Sequence, residues 1–114
     1  MKNINHETLK QKLDNEEDFV FLNVLPREAY EKEHIPGSEN IPYDSDDLEE
    51  QAEQKADSKD AEIIVYCADE ECQASNKAAK RLEEEGFTNV KDFEGGMEEW
   101  KSAGYDVESQ SQAA

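Results

Sequence analysis

Residues 62–66 read EIIVY, and Cys67 follows them with no intervening residue. A run that is apolar at successive positions buries both faces of a strand, which predicts a central strand in a parallel sheet covered on both sides. After the loop at 68–72 the pattern changes to helix, with Ala78, Ala79 and Leu82 inward and Gly86 where a C-terminal glycine cap falls. The unit is therefore strand, loop, helix, with a thiol at the junction.

The rest of the chain repeats this alternation. Asn5 is placed to cap a helix carrying Leu9 and Leu13, and FVFLNV at 19–24 suits a buried strand. Residues 27–33 form a short helix with Tyr30 inward, stopped by a tight turn at Pro36-Gly37, and Ile41-Pro42 is a second extended piece. Between Asp44 and Ala56 an acidic helix has Leu48 and Ala52 as its only inward stripe, so weak packing is expected. Residues 90–93 form the last strand, Gly95-Gly96 a turn, and 97–103 a helix with Met97 and Trp100 inward and Gly104 past its end. Strands alternating with helices at this spacing predict an α/β fold, three-layer α/β/α with a central parallel sheet. One domain over residues 1–108 is expected, with 109–114 as a flexible tail.

Charge narrows the function. Thirty acidic residues against twelve basic ones give a net charge of −18 over 114 residues. Such charge repels nucleic acid and anionic membranes, so neither is expected as a partner. The acid is spread along the whole chain, as on a surface adapted to concentrated salt, where screening lengths shrink to about 3 Å at 1 M. An ordinary acidic bacterial protein is the alternative. No stretch approaches the roughly 20 apolar residues that cross a bilayer, and the N-terminus lacks a signal peptide's apolar segment. A soluble, cytoplasmic monomer is expected.

The two cysteines, Cys67 and Cys72, stand five positions apart, and a bridge closing so short a loop staples little. Free thiols held for reactivity or packing are expected, in a reducing compartment. With only His6 and His34 beside them they are too few for a closed zinc site, so no metal is expected. In open parallel sheets, ligands collect beyond the carboxyl ends of the strands, where helix N-termini offer unpaired N–H groups. A thiol there has its thiolate favoured by about 0.3–1 kcal/mol from the helix dipole. Asp69, Glu70 and Glu71 oppose ionisation by a comparable amount. A reactive but not strongly acidified Cys67 follows, against the alternative of a buried structural cysteine.

The order of motifs resembles the rhodanese-like family. The residues that carry the resemblance are the apolar strand before Arg27-Glu28-Ala29-Tyr30, the turn His34-Ile35-Pro36-Gly37, and the strand ending at Cys67. They continue through Ala78-Ala79-Lys80-Arg81-Leu82 and Glu94-Gly95-Gly96-Met97-Glu98-Glu99-Trp100. The resemblance implies a rhodanese fold and a sulfurtransferase that carries sulfane sulfur as a persulfide on Cys67. It implies no metal or organic cofactor. The substrate-binding loop is then Ala68, Asp69, Glu70, Glu71, Cys72 and Gln73.

Two departures bear on substrate. Family members commonly have Asp-Val-Arg after the first strand, where this chain has Asn23-Val24-Leu25, and Arg27 is the residue left to take the arginine's place. Active members often carry Gly, Arg or Lys in the loop, whereas this loop is acidic and slightly longer. Thiosulfate would meet like charge, so the expected donor is a neutral polysulfide or a protein persulfide, with a thiol or protein as acceptor. Cys72 either seats the helix start as a small apolar residue or acts as a resolving thiol against Cys67. Ser75 is expected to cap the helix, the alternative being donation to the sulfur. His34 is expected to satisfy turn backbone groups, Trp100, Phe93 and Tyr30 to lie in the core, and His6 at the surface. Two other functions remain open: a non-catalytic interaction module, and a Cys67/Cys72 dithiol redox sensor or reductase.

Overall fold

The structure is a computed structural model and describes residues 2–109. Its elements run β1 (Lys2–Asn3), α1 (His6–Asp14), β2 (Val20–Asn23), α2 (Arg27–Lys32), β3 (Glu39–Asn40), α3 (Leu48–Lys55), β4 (Ile63–Tyr66), α4 (Ala74–Glu84), β5 (Val90–Phe93) and α5 (Gly96–Ser102). The strands form one five-stranded sheet in the order β1-β5-β4-β2-β3, with every pairing parallel. β4 is its middle strand, and all four of its residues are buried.

Successive side chains of a strand point to opposite faces, and that period divides the core in two. Leu22, Ile63, Val65 and Val90 meet Leu48 and Ala52 of α3 and Ala78, Ala79 and Leu82 of α4. Phe21, Ile64, Tyr66 and Phe93 meet Leu9 of α1 and Met97 and Trp100 of α5. The fold is thus the expected α/β/α sandwich with a central parallel sheet.

Most elements start and stop for the reasons read from the sequence. The Asn5 side chain accepts the Thr8 amide at 2.9 Å and opens α1. Gly86, at φ +105°, ends α4 in a backbone conformation that glycine adopts without strain.

Three local expectations are corrected, and one strand was not foreseen. The second extended piece lies at Glu39–Asn40 rather than Ile41-Pro42, because Pro42 has no N–H to continue a ladder. Ile41 still donates its amide to the Asn23 carbonyl at 3.0 Å. β1 carried no sequence signal, since Lys2 and Asn3 are polar and exposed at the sheet edge. The acidic helix α3 is firmly seated: Leu48 and Ala52 are fully buried. Arg81 of α4 binds Glu49 through two nitrogens, at 2.8 and 2.6 Å, and gives a third bond to the Tyr43 carbonyl at 2.7 Å. That pairing holds the Glu49 carboxyl below the usual carboxylate range. Finally, the expected loose tail is tied at its start. Glu108 and His34 exchange backbone hydrogen bonds of 2.9 Å, and the Ser109 hydroxyl donates to the Glu31 carbonyl. The remainder of that segment, 110–114, lies outside the described residues.

Candidate active site

All strands being parallel, their carboxyl ends share one edge of the sheet, and β4 delivers Cys67 there. The end of β4 is fixed by the Tyr66 hydroxyl, which is buried between β2 and the turn at 34–37. It accepts the Ile35 amide at 2.9 Å and the Asn23 side-chain amide at 3.0 Å. It then donates to Ser38 Oγ at 2.7 Å, whose own proton goes to the Ile35 carbonyl. Every polar atom in the group is satisfied, as burial demands. Burial pushes the phenol's pKa upward, against the pull of Ser38 and Asn23, so it stays a neutral hydroxyl. Asn23 therefore has a structural task in this chain, and its Oδ1 also accepts the Leu25 amide.

Cys67 itself is fully buried. Its sulfur is joined to that of Cys72 in a disulfide, with the Cα atoms 6.3 Å apart. This corrects the expectation of free thiols: among the described residues neither cysteine is free. The physical reason is the curl of the loop, which brings residue 72 back over residue 67. Asp69 produces that curl, taking the amides of Glu71 and Cys72 on its Oδ1, each at 3.0 Å. Those two amides are occupied by a carboxylate of the loop itself. Cys72 is half-buried against the apolar cluster of α4, so it both packs and reaches Cys67.

Ser75 does not cap α4. The N-cap is Gln73, without a side-chain bond, and Ser75 lies in the helix's first turn, buried, with Oγ 3.6 Å from Cys67 Sγ. Beneath it stands Asp92 of β5, which is 1% exposed and has its Oδ1 buried without a hydrogen-bond partner among the described residues. Burial raises the pKa of the Asp92 carboxyl, while a hydrogen bond with Ser75 pulls the other way. Sequence reasoning missed this residue. The signal was present, because period two places position 92 on the same face of β5 as the buried Val90.

The other side of the loop rests on α5. Met97 and Glu98 give their amides to the carbonyls of Cys67 and Ala68, at 3.0 and 2.9 Å. This approach requires glycine at 96: φ is +56°, and a Cβ there would stand 2.2 Å from the Cys67 carbonyl oxygen. Asp69, Glu70 and Glu71 then face Glu98 and Glu99 across an open cleft of about 390 Å³. Arg27 pairs with Glu31 on its own helix. His34 serves the turn as expected, with Nδ1 2.9 Å from the Tyr30 carbonyl and its ring stacked on that of Tyr30. His6 is half-buried rather than at the surface, its backbone amide and Nδ1 both 2.8 Å from Glu99 Oε2. Tyr30, Phe93 and Trp100 are buried as read.

A parallel sheet sandwiched by helices, with a cysteine at the end of the middle strand and a glycine-pair turn clamped to its carbonyl, defines a recognisable class. A family model described as the Rhodanese-like domain matches residues 5–103, and the chain belongs to that family. It is 33% identical over 97 residues to the putative sulfur carrier protein YrkF of Bacillus subtilis, covering 85% of this chain and 49% of that one. It therefore spans about half of that relative's length. It is 35% identical over 85 residues to the thiosulfate sulfurtransferase GlpE of Coxiella burnetii, covering 75% of this chain and 74% of GlpE. Among solved structures, the Alr3790 protein of Anabaena superposes with a TM-score of 0.81 at 30% identity, over 93% of this chain and 80% of that one.

Proposed function

We propose that the protein, once its disulfide is opened, is a sulfurtransferase that accepts sulfane sulfur on Cys67 as a persulfide and hands it to a thiol or protein acceptor. The observation that carries this reading is the position of Cys67 at the carboxyl end of β4, with the Ser75 hydroxyl 3.6 Å from its sulfur. A hydroxyl at that place can donate to a thiolate or persulfide anion, and a hydrogen bond to a charged group is worth about 1.5–3 kcal/mol. The names of YrkF and GlpE, a sulfur carrier and a sulfurtransferase, support the same chemistry.

Charge selects the donor. A dianion such as thiosulfate meets a loop carrying Asp69, Glu70 and Glu71, and the cleft beside Cys72 is lined by Glu70 and Glu94, while two loop amides that could receive it are held by Asp69. Neutral organic polysulfides and protein-bound persulfides bring no dianion to the acidic loop and are the better substrates. The test is sulfur transfer to cyanide by the reduced protein, followed as thiocyanate. Turnover should be faster with a neutral organic polysulfide than with thiosulfate and lost in Cys67→Ser. Equal turnover in Cys67→Ser would refute the reading.

One observation favours a second reading, that of a non-catalytic module: Cys67 is fully buried while the bridge is closed. Alkylation after reduction separates the two. A Cys67 that stays closed to a small alkylating reagent after the bridge is opened supports the module.

A further inference from the structure

We propose that Cys72 resolves the Cys67 persulfide, so that the protein releases the accepted sulfur as hydrosulfide and closes the disulfide seen in this structure. This rests on Cys67 being the sulfur acceptor and adds a reductive step to it.

Reach comes first. The Cα atoms of the two cysteines are 6.3 Å apart, inside the usual range of about 4.4–6.8 Å for bridged pairs. Cys72 thus reaches the inner sulfur of a persulfide on Cys67, the sulfur that belongs to the protein. Attack there is balanced without a further reactant. The Cys72 thiolate supplies the electron pair of the new Sγ–Sγ bond, the bond between Cys67 Sγ and the outer sulfur breaks, and its pair leaves on the outer sulfur as hydrosulfide. The proton comes from the persulfide or from the Cys72 thiol. The outer sulfur is reduced and Cys72 is oxidised.

The surroundings favour release over storage. A stored persulfide anion wants donors and positive charge, yet the amides of Glu71 and Cys72 are taken by Asp69. The loop from 68 to 73 contains no basic residue. The Cys72 carbonyl oxygen lies 3.4 Å from Cys67 Sγ and turns a lone pair toward it. The Ser75 hydroxyl, 3.6 Å from the sulfur, suits Cys67 as a leaving thiolate when the bridge is reopened.

The two sulfurs are unequal in access, and that sets how the cycle returns. Cys67 is fully buried, whereas Cys72 is partly exposed and lines a cleft of about 300 Å³ with Gln73, Asn76 and Glu94. An external dithiol therefore attacks Cys72, expels Cys67 as thiolate, and closes its own disulfide as it frees Cys72. It delivers the two electrons and two protons that each cycle consumes.

The experiment uses reduced protein freed of reductant and one equivalent of benzenethiosulfonate, which donates sulfur and leaves as sulfinate, so that any sulfide comes from the protein. The wild type should release close to one sulfide per chain and end as the Cys67–Cys72 disulfide by peptide mass mapping. Cys72→Ser and Cys72→Ala, checked for native melting, should instead hold one added sulfur on Cys67 and release sulfide only when dithiothreitol is supplied. A wild type that keeps the added sulfur as long as the Cys72 variants do overturns the resolving step and leaves the sulfurtransferase reading standing. Failure of all three proteins to take up sulfur or yield sulfide overturns both.

Discussion

Ser75 Oγ lies 3.6 Å from Cys67 Sγ, buried in the first turn of α4, and the same hydroxyl is hydrogen-bonded to the Asp92 carboxyl below it. The serine hydroxyl can donate to an anionic sulfur on Cys67. Loss of that bond to an anionic sulfur costs about 1.5–3 kcal/mol. Ser75→Ala is therefore expected to slow persulfide formation by roughly tenfold or more, measured as the rate of sulfur uptake by the reduced protein. Its melting temperature should fall as well, because the buried Asp92 carboxyl loses its Ser75 partner.

Asp92→Asn tests the acid beneath it. Burial raises the folded-state pKa of Asp92, so the folded chain binds more protons than the unfolded one, and stability falls as pH rises from the unfolded carboxylate range through the raised value. The amide removes that cost and can still donate to Ser75. The variant should be more stable than the wild type at neutral pH, by about 1–3 kcal/mol, and the gain should vanish in acid. Chemical denaturation at several pH values reads this directly, and a gain independent of pH would exclude the titration of Asp92 as its cause.

Asp69→Asn separates the loop's shape from its charge. The asparagine oxygen can accept the same two amides that Asp69 Oδ1 holds, so the curl survives while one negative charge leaves the cleft. Thiosulfate turnover should rise about threefold at low salt, the effect of a fraction of a kcal/mol, and the difference should shrink as salt screens the cleft. Turnover of a neutral organic polysulfide should change less. Initial rates in low and molar salt are the measurement.

Gly96→Ala should damage the site through its frame. The left-handed backbone alone costs a non-glycine residue about 1–2 kcal/mol, and the new Cβ would press on the Cys67 carbonyl. Thermal melting should fall, and with it the bonds from Met97 and Glu98 that hold the loop. Amide hydrogen exchange at Met97 and Glu98 would register that loosening; unchanged protection there would exclude it.

The fold was legible where burial dictated the pattern. EIIVY placed β4 in the middle of the sheet because both of its faces are covered, and Leu48 with Ala52 marked the buried stripe of α3. The edge strand β1 was not legible: its ladder rests on backbone groups, and the side chains of Lys2 and Asn3 face solvent. In the site, Cys67 and the acidic loop could be read from order and charge. The destination of the loop amides could not, because it depends on Asp69 turning its carboxylate back on the chain that follows it. The disulfide escaped for the same reason, since that turn decides whether residue 72 returns to residue 67. Asp92 was legible from alternation in β5, and its meaning came only with Ser75 above it.

The most direct test is intact-mass and peptide analysis of Cys72→Ser, reduced and then exposed to polysulfide or a protein persulfide. One added sulfur atom located on Cys67, removable by cyanide or by dithiol, is the predicted result. Sulfur found elsewhere on the chain, or no adduct with any donor, would contradict the assignment of Cys67 as the sulfur carrier.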